Sequence, residues 1–114
     1  MIKILNRGYI SVTPKTPFWK EVEKVNQSQI INYKNSEATI YLIEEDFWDD
    51  EVILKKHFKN IILSEKRQVD TTGELKLAQI SFENIRDYFD ISLGNLVIDY
   101  EDKPLQITKD DLSD

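Results

Sequence analysis

Cysteine is absent from all 114 residues, which removes disulfides, thiolate metal sites and thiol nucleophiles from consideration. Glycine and proline occur three times each. So few leave little sign of a glycine-hinged catalytic loop, and no Gly/Ser/Pro-rich linker divides the chain. There is no glycine-rich phosphate loop and no Rossmann fingerprint, and the acidic runs lack the alternating ligands and central glycine of an EF-hand. No cofactor and no specific metal site is therefore expected. The single histidine, His57, stands among Lys55, Lys56 and Lys59, so a triad or metal site around it needs carboxylates or hydroxyls from elsewhere. It reads as a solvated helix residue. Long hydrophobic runs are missing too. The opening residues 1–12 are interrupted by Lys3, Asn6 and Arg7, which fits neither a signal peptide nor a membrane span. The expectation is a cytoplasmic protein that makes no membrane contact.

What is present suffices for a folded core. Hydrophobic residues make up 40% of the chain and aromatics 11%, enough apolar area to offset the entropy of ordering a chain of this length. Residues 1–108 read as a single compact domain and residues 109–114 as a frayed acidic tail. Two short apolar runs, residues 2–5 and 9–12, flank Asn6, Arg7 and Gly8 and suggest an opening hairpin. Thr16 followed by Pro17 signals a helix start, and Phe18, Val22, Val25 and Gln29 then share one face, which predicts a helix over 17–27. A turn at 34–36 leads into a β-rich run at 38–43. Because both faces of that run are apolar, it reads as a central strand. Residues 46–58 carry acids early and lysines late, as a helix aligned with its own dipole does.

Beyond that helix two readings compete for residues 61–80. Ile61, Ile62 and Leu63 either extend it or start a strand that pairs, across a turn at 70–73, with residues 74–80. The polar tetrad ending in Gly73 favours the hairpin. Ser81 can cap a helix over 81–90 bearing Phe82, Ile85 and Phe89, and residues 96–100 and 105–108 suggest a closing hairpin. The fold class is α+β: a small mixed, mainly antiparallel sheet with about three helices packed on it, most simply on one face.

Charge is segregated. Residues 44–51 hold six carboxylates and no basic side chain, and residues 87–114 hold eight acids against two bases, within a net charge of −6. In the first block Glu44, Glu45, Asp46, Asp49, Asp50 and Glu51 surround Phe47 and Trp48. Either the acids complement a helix dipole while both rings pack inward, or the carboxylates steer a basic partner onto an exposed Trp48. In the second block Asp99 and Glu101 lie two apart, on the face of a strand opposite Ile98 and Tyr100.

Direct nucleic-acid binding is disfavoured, since phosphate contacts need concentrated positive charge, and only Lys55, Lys56, Lys59, Lys66 and Arg67 cluster. The leading expectation is a non-enzymatic binding or inhibitory module, monomeric or weakly self-associating. Glu44, Glu45, Asp46, Trp48, Asp49, Asp50 and Glu51 then cover a basic site on another protein, such as a toxin or nucleic-acid-binding protein, as an immunity protein covers a nuclease toxin. The alternatives are an assembly subunit with an aromatic interface of Phe18, Trp19, Phe47 and Trp48, and a small carboxylate-dependent enzyme, which needs two acids in unlike environments.

Overall fold

The computed structural model describes residues 2–25, 37–70 and 73–108. The expected turn at 34–36, Gln29 and the tail 109–114 lie outside these. In chain order the elements are β1 (Lys3–Ile4), β2 (Gly8–Pro14), α1 (Thr16–Val25), β3 (Thr39–Ile43), α2 (Asp50–Val69), α3 (Ile85–Tyr88), β4 (Phe89–Gly94) and β5 (Ile98–Asp99). Among the described residues three helices accompany antiparallel sheets of three and two strands. This is an α+β fold, and among the described residues no helix is long and apolar enough to cross a membrane.

The three-stranded sheet has the order β3-β2-β4. Strand β2 alternates as a half-buried strand must: Gly8, Ile10 and Val12 point inward, while Tyr9, Ser11 and Thr13 point outward. Ile10 is paired with Tyr41 on one side and Leu93 on the other, and Val12 with Thr39 and Ile91. Directly paired residues share a face, so Thr39, Tyr41 and Ile43 join Phe89, Ile91 and Leu93 on the inner surface. Phe18 and Val22 of α1, Ile53, Leu54 and Ile61 of α2, and Ile85 of α3 complete the same buried cluster. The Phe18 and Phe89 rings meet at 4.9 Å between centroids. The helices thus cover one face of the sheet.

Several expected pairings are corrected by this topology. The first strand does not form a hairpin with the second, because β1 pairs with β5 near the far end of the chain, Lys3 opposite Asp99 and Ile4 opposite Ile98. Residues 105–108 form no strand, so the closing hairpin is absent. Among the described residues β3 is an edge strand and β2 holds the centre. The apolar outer face of β3 is left in water, with Ile40 55% and Leu42 48% exposed.

The helical corrections have equally local causes. Helix α2 runs on to Val69 instead of ending near residue 58. No glycine or proline interrupts it, and Ile53, Leu54, Ile61 and Glu65 are its buried positions. Because the last of these is a glutamate, the helical stripe looks as if it stops. Asp70 ends a helix and follows no strand: its Oδ1 accepts from the Gly73 amide at 3.0 Å and its Oδ2 from the Leu75 amide at 3.3 Å. Leu75, Leu77 and Ile80 then pack into the core in irregular conformation.

The helix expected over 81–90 shrinks to the single turn α3, and Phe89 already belongs to β4. Asn84, not the Ser81 hydroxyl, organises its start, accepting from the Ser81 amide at 2.7 Å and donating to the Gln79 carbonyl at 2.9 Å.

Leu54 has no solvent exposure and sits where α2 meets the core. Leu54→Ala is expected to lower the unfolding free energy by about 2 to 5 kcal/mol, whereas Ile107→Ala, at a 93% exposed position, should change it by under about 0.5 kcal/mol. Urea denaturation of both variants checks the pair.

Candidate protein-binding surface

The acidic block lies on the connection between β3 and α2, and its side chains divide into distinct roles. Asp49 caps α2. Its Oδ1 accepts from the Glu51 amide at 2.9 Å and the Val52 amide at 3.3 Å, satisfying donors that the first helical turn leaves open. Asp50 and Glu51 occupy that turn, where negative charge complements the dipole. Glu51 also receives Arg86 at 2.7 Å, an exposed pair contributing at most about 1 kcal/mol.

Glu44 faces the other way, into α2. It is paired with Lys56, and its Oε1 lies 2.5 Å from His57 Nε2. A carboxylate can only accept, so Nε2 carries the proton. Lys56 first and His57 second hold the Glu44 carboxyl down at about 2. His57 is accordingly not the solvated helix residue expected; it is half-buried with a carboxylate partner.

Between Glu44 and Asp49 the chain makes a tight turn. Asp46 has φ 60°, a left-handed conformation that Asp tolerates better than most side chains. The turn presses on β2: a Cβ on Gly8 would lie 2.9 Å from the Glu44 carbonyl oxygen and 2.9 Å from Phe47 Cε1. The Phe47 carbonyl accepts from Asn95 Nδ2 at 3.1 Å, anchoring the turn to the residue after β4.

The result separates the two rings. Phe47 packs against the core, while Trp48 is 98% exposed. Neither sequence reading holds whole, because the dipole role and one inward ring coexist with one ring fully in water. Glu45, Asp46 and Asp50 are exposed beside Trp48. A shallow concavity lined by Asp46, Phe47, Trp48 and Asn95 adjoins the indole. Of the four aromatics expected to build an assembly interface, Phe18 is wholly buried and Trp19 and Phe47 are half-buried.

A second polar cluster, not anticipated from sequence, lies two turns further along α2. Glu65 is buried and accepts from Tyr41 and, at 3.1 Å, from Gln68 Nε2. Burial raises its carboxyl above the ordinary value, against the hydrogen bonds from Tyr41, Thr39 and Gln68 that lower it. Burial and the Glu65 hydrogen bond raise the Tyr41 hydroxyl. The signal available in sequence was a lone acid at a core-facing position of an otherwise apolar stripe.

Glu44 and Glu65 are acids in unlike environments, as general acid-base chemistry requires. Glu65 is nevertheless eight residues beyond the His57 that holds Glu44, about 12 Å along a helix axis, whereas paired carboxylates work at roughly 5 to 10 Å. Among the described residues no three His, Asp or Glu side chains gather as metal ligands. The second acidic block serves the terminal ribbon: Lys3 Nζ lies 3.8 Å from Asp99 and donates to the Glu101 carbonyl at 2.7 Å. No family model, curated protein or solved structure matches the chain.

The two acids bias stability in opposite directions with pH. Glu44, with its folded pKa depressed, stabilises the fold above the unfolded carboxylate value and loses this as pH falls toward about 2. Glu65, with its folded pKa raised, is best tolerated at low pH and costs stability as pH rises through that unfolded value. Relative to wild type, Glu44→Gln should therefore lose stability and Glu65→Gln gain it as pH rises from about 3 to 7. Urea titrations at stepped pH read this out, and differences of the same sign in the two variants contradict the assignment.

Proposed function

We propose that the chain is a protein-binding module whose surface of Glu45, Asp46, Trp48, Asp49, Asp50 and Glu51 covers a basic site on another protein, Glu44 being turned instead toward Lys56 and His57 of α2. Such a partner is a toxin or nucleic-acid-binding protein whose phosphate-binding groups the carboxylates engage instead. The observation that carries this reading is Trp48, 98% exposed amid exposed carboxylates. An aromatic side chain gains roughly 25 cal/mol for every Å² it removes from water, so an indole left fully in water has that gain still to make on association. Tryptophan is also among the residues that dominate binding energy when a partner buries it.

The support it rests on is rigid. Trp48 follows a residue that packs into the core and whose carbonyl is held by Asn95, so little ordering entropy opposes docking. Long-range attraction from the acids accelerates encounter, and the buried ring slows escape. Catalysis has less behind it, because the exposed acids Glu45, Asp46 and Asp50 share one kind of environment.

The test is a partner captured with the purified chain and measured by surface plasmon resonance at stepped salt. Asp46→Asn with Asp50→Asn keeps both the left-handed turn and the helix start. It is expected to lower the on-rate and flatten its salt dependence. Trp48→Ala should raise the off-rate by roughly tenfold or more. Unaltered rates in both folded variants defeat the reading.

A further inference from the structure

We infer that the free edge of β3 accepts an extended, basic-flanked strand from the partner's chain, which enlarges the three-stranded sheet to four. This rests on the reading of the partner as basic. Strand β3 is the outer member of the order β3-β2-β4, and among the described residues no strand pairs with its other side. Alternate amides and carbonyls of an edge strand point outward and are unmatched by its neighbour. Edges are ordinarily blunted by charge, proline or a bulge. Residues 39–43, Thr-Ile-Tyr-Leu-Ile, contain no charge and no proline and pair with β2 in unbroken register.

Both sides of this edge are furnished for an added strand. On the outer face Ile40 and Leu42 are half in water and offer apolar contact to every second incoming side chain. On the inner side a groove of about 250 Å³ runs between β3 and α2, with Tyr41, His57, Asn60 and Ser64 along it. Leu42, Ile43 and Ile61 make the rest of its lining, so the groove is mainly apolar with a few polar groups and suits small side chains that carry both a methyl and a hydroxyl at the intervening positions.

Charge decides what the strand is. Glu37 and Glu45 are exposed at the two ends of β3. A second copy pairing about a two-fold at Tyr41 sets Glu37 of one protomer against Glu45 of its partner, and like charges directly opposed destabilise a sheet. A strand with lysine or arginine at both ends of a five-residue β-forming run meets those glutamates with opposite charge. It is the same sign of partner that the Trp48 surface calls for.

The probe is the capped nine-residue peptide Lys-Ser-Thr-Val-Thr-Val-Thr-Ser-Lys, which reads the same in either direction and sets its valines beside Ile40 and Leu42. In a titration of the ¹⁵N-labelled full chain, it is expected to shift the amide signals of residues 39–43 and to slow hydrogen exchange at those of their amides that point away from β2. N-methylation of the valines or of the threonines, but not of both sets equally, should weaken binding by roughly tenfold, since only one alternate set of amides faces β3. Replacing both lysines by glutamate, or introducing Glu37→Gln with Glu45→Gln, should weaken it as well. Absence of binding, equal loss from both methylated peptides, or slow exchange in the free protein at the β3 amides that point away from β2 each overturns the inference. Shifts confined to residues 46–51 also overturn it while leaving the Trp48 surface intact as a binding site, so the two readings fail separately.

Discussion

Ile10 and Val12 sit without solvent exposure on the strand to which both neighbours in the main sheet pair. Because register slips by single residues turn side chains to the opposite face, their burial fixes which residues of β3 and β4 point into the core. It also fixes which face the helices must cover. Phe18, Leu54, Ile61, Ile85 and Phe89 all close on that one surface. The apolar residues of β3 on the other face, Ile40 and Leu42, meet no helix among the described residues. An apolar outer face and an open edge are thus consequences of where β2 lies.

The length of α2 follows from the same constraint. A helix crossing the inner face beside β3 brings His57 to Glu44 at one end of the strand and Glu65 to Tyr41 further along. One carboxyl gains cationic partners at the rim, and the other loses water in the interior, so burial raises one pKa while neighbouring donors depress the other. The Tyr41 hydroxyl and the amide of Gln68 supply the hydrogen bonds without which a buried carboxylate is strongly destabilising.

The turn carrying Trp48 is a product of close packing more than of helix chemistry. Gly8 has no Cβ and so lets the Glu44 carbonyl and the Phe47 ring approach β2, and Asn95 donates to the Phe47 carbonyl. With Phe47 drawn inward and α2 capped by Asp49, the ring between them has only solvent to face. Exposure of an aromatic on a braced turn differs physically from exposure on a mobile loop, since docking then orders little that was not already ordered.

Read alone, the sequence carried the composition of a single α+β fold, the start of α1 at Thr16 and Pro17, the dipole arrangement of α2 and the segregation of acid into residues 44–51. Each of these depends on residues close together along the chain, where capping, periodicity and charge act locally. The strand that begins at Phe89 was not legible, because Phe82, Ile85 and Phe89 behind a capping Ser81 fit the face of a longer helix. What local pattern did not contain was pairing. Strand β1 joins β5 across more than ninety residues, β3 is an edge because β4 arrives from a distant segment to take the other side of β2, and Glu65 is buried only because Tyr41 and Gln68 meet it there. Contacts of this kind are decided by which faces remain to be covered once the strands have met, and only the assembled tertiary structure separates Phe47 inside from Trp48 outside.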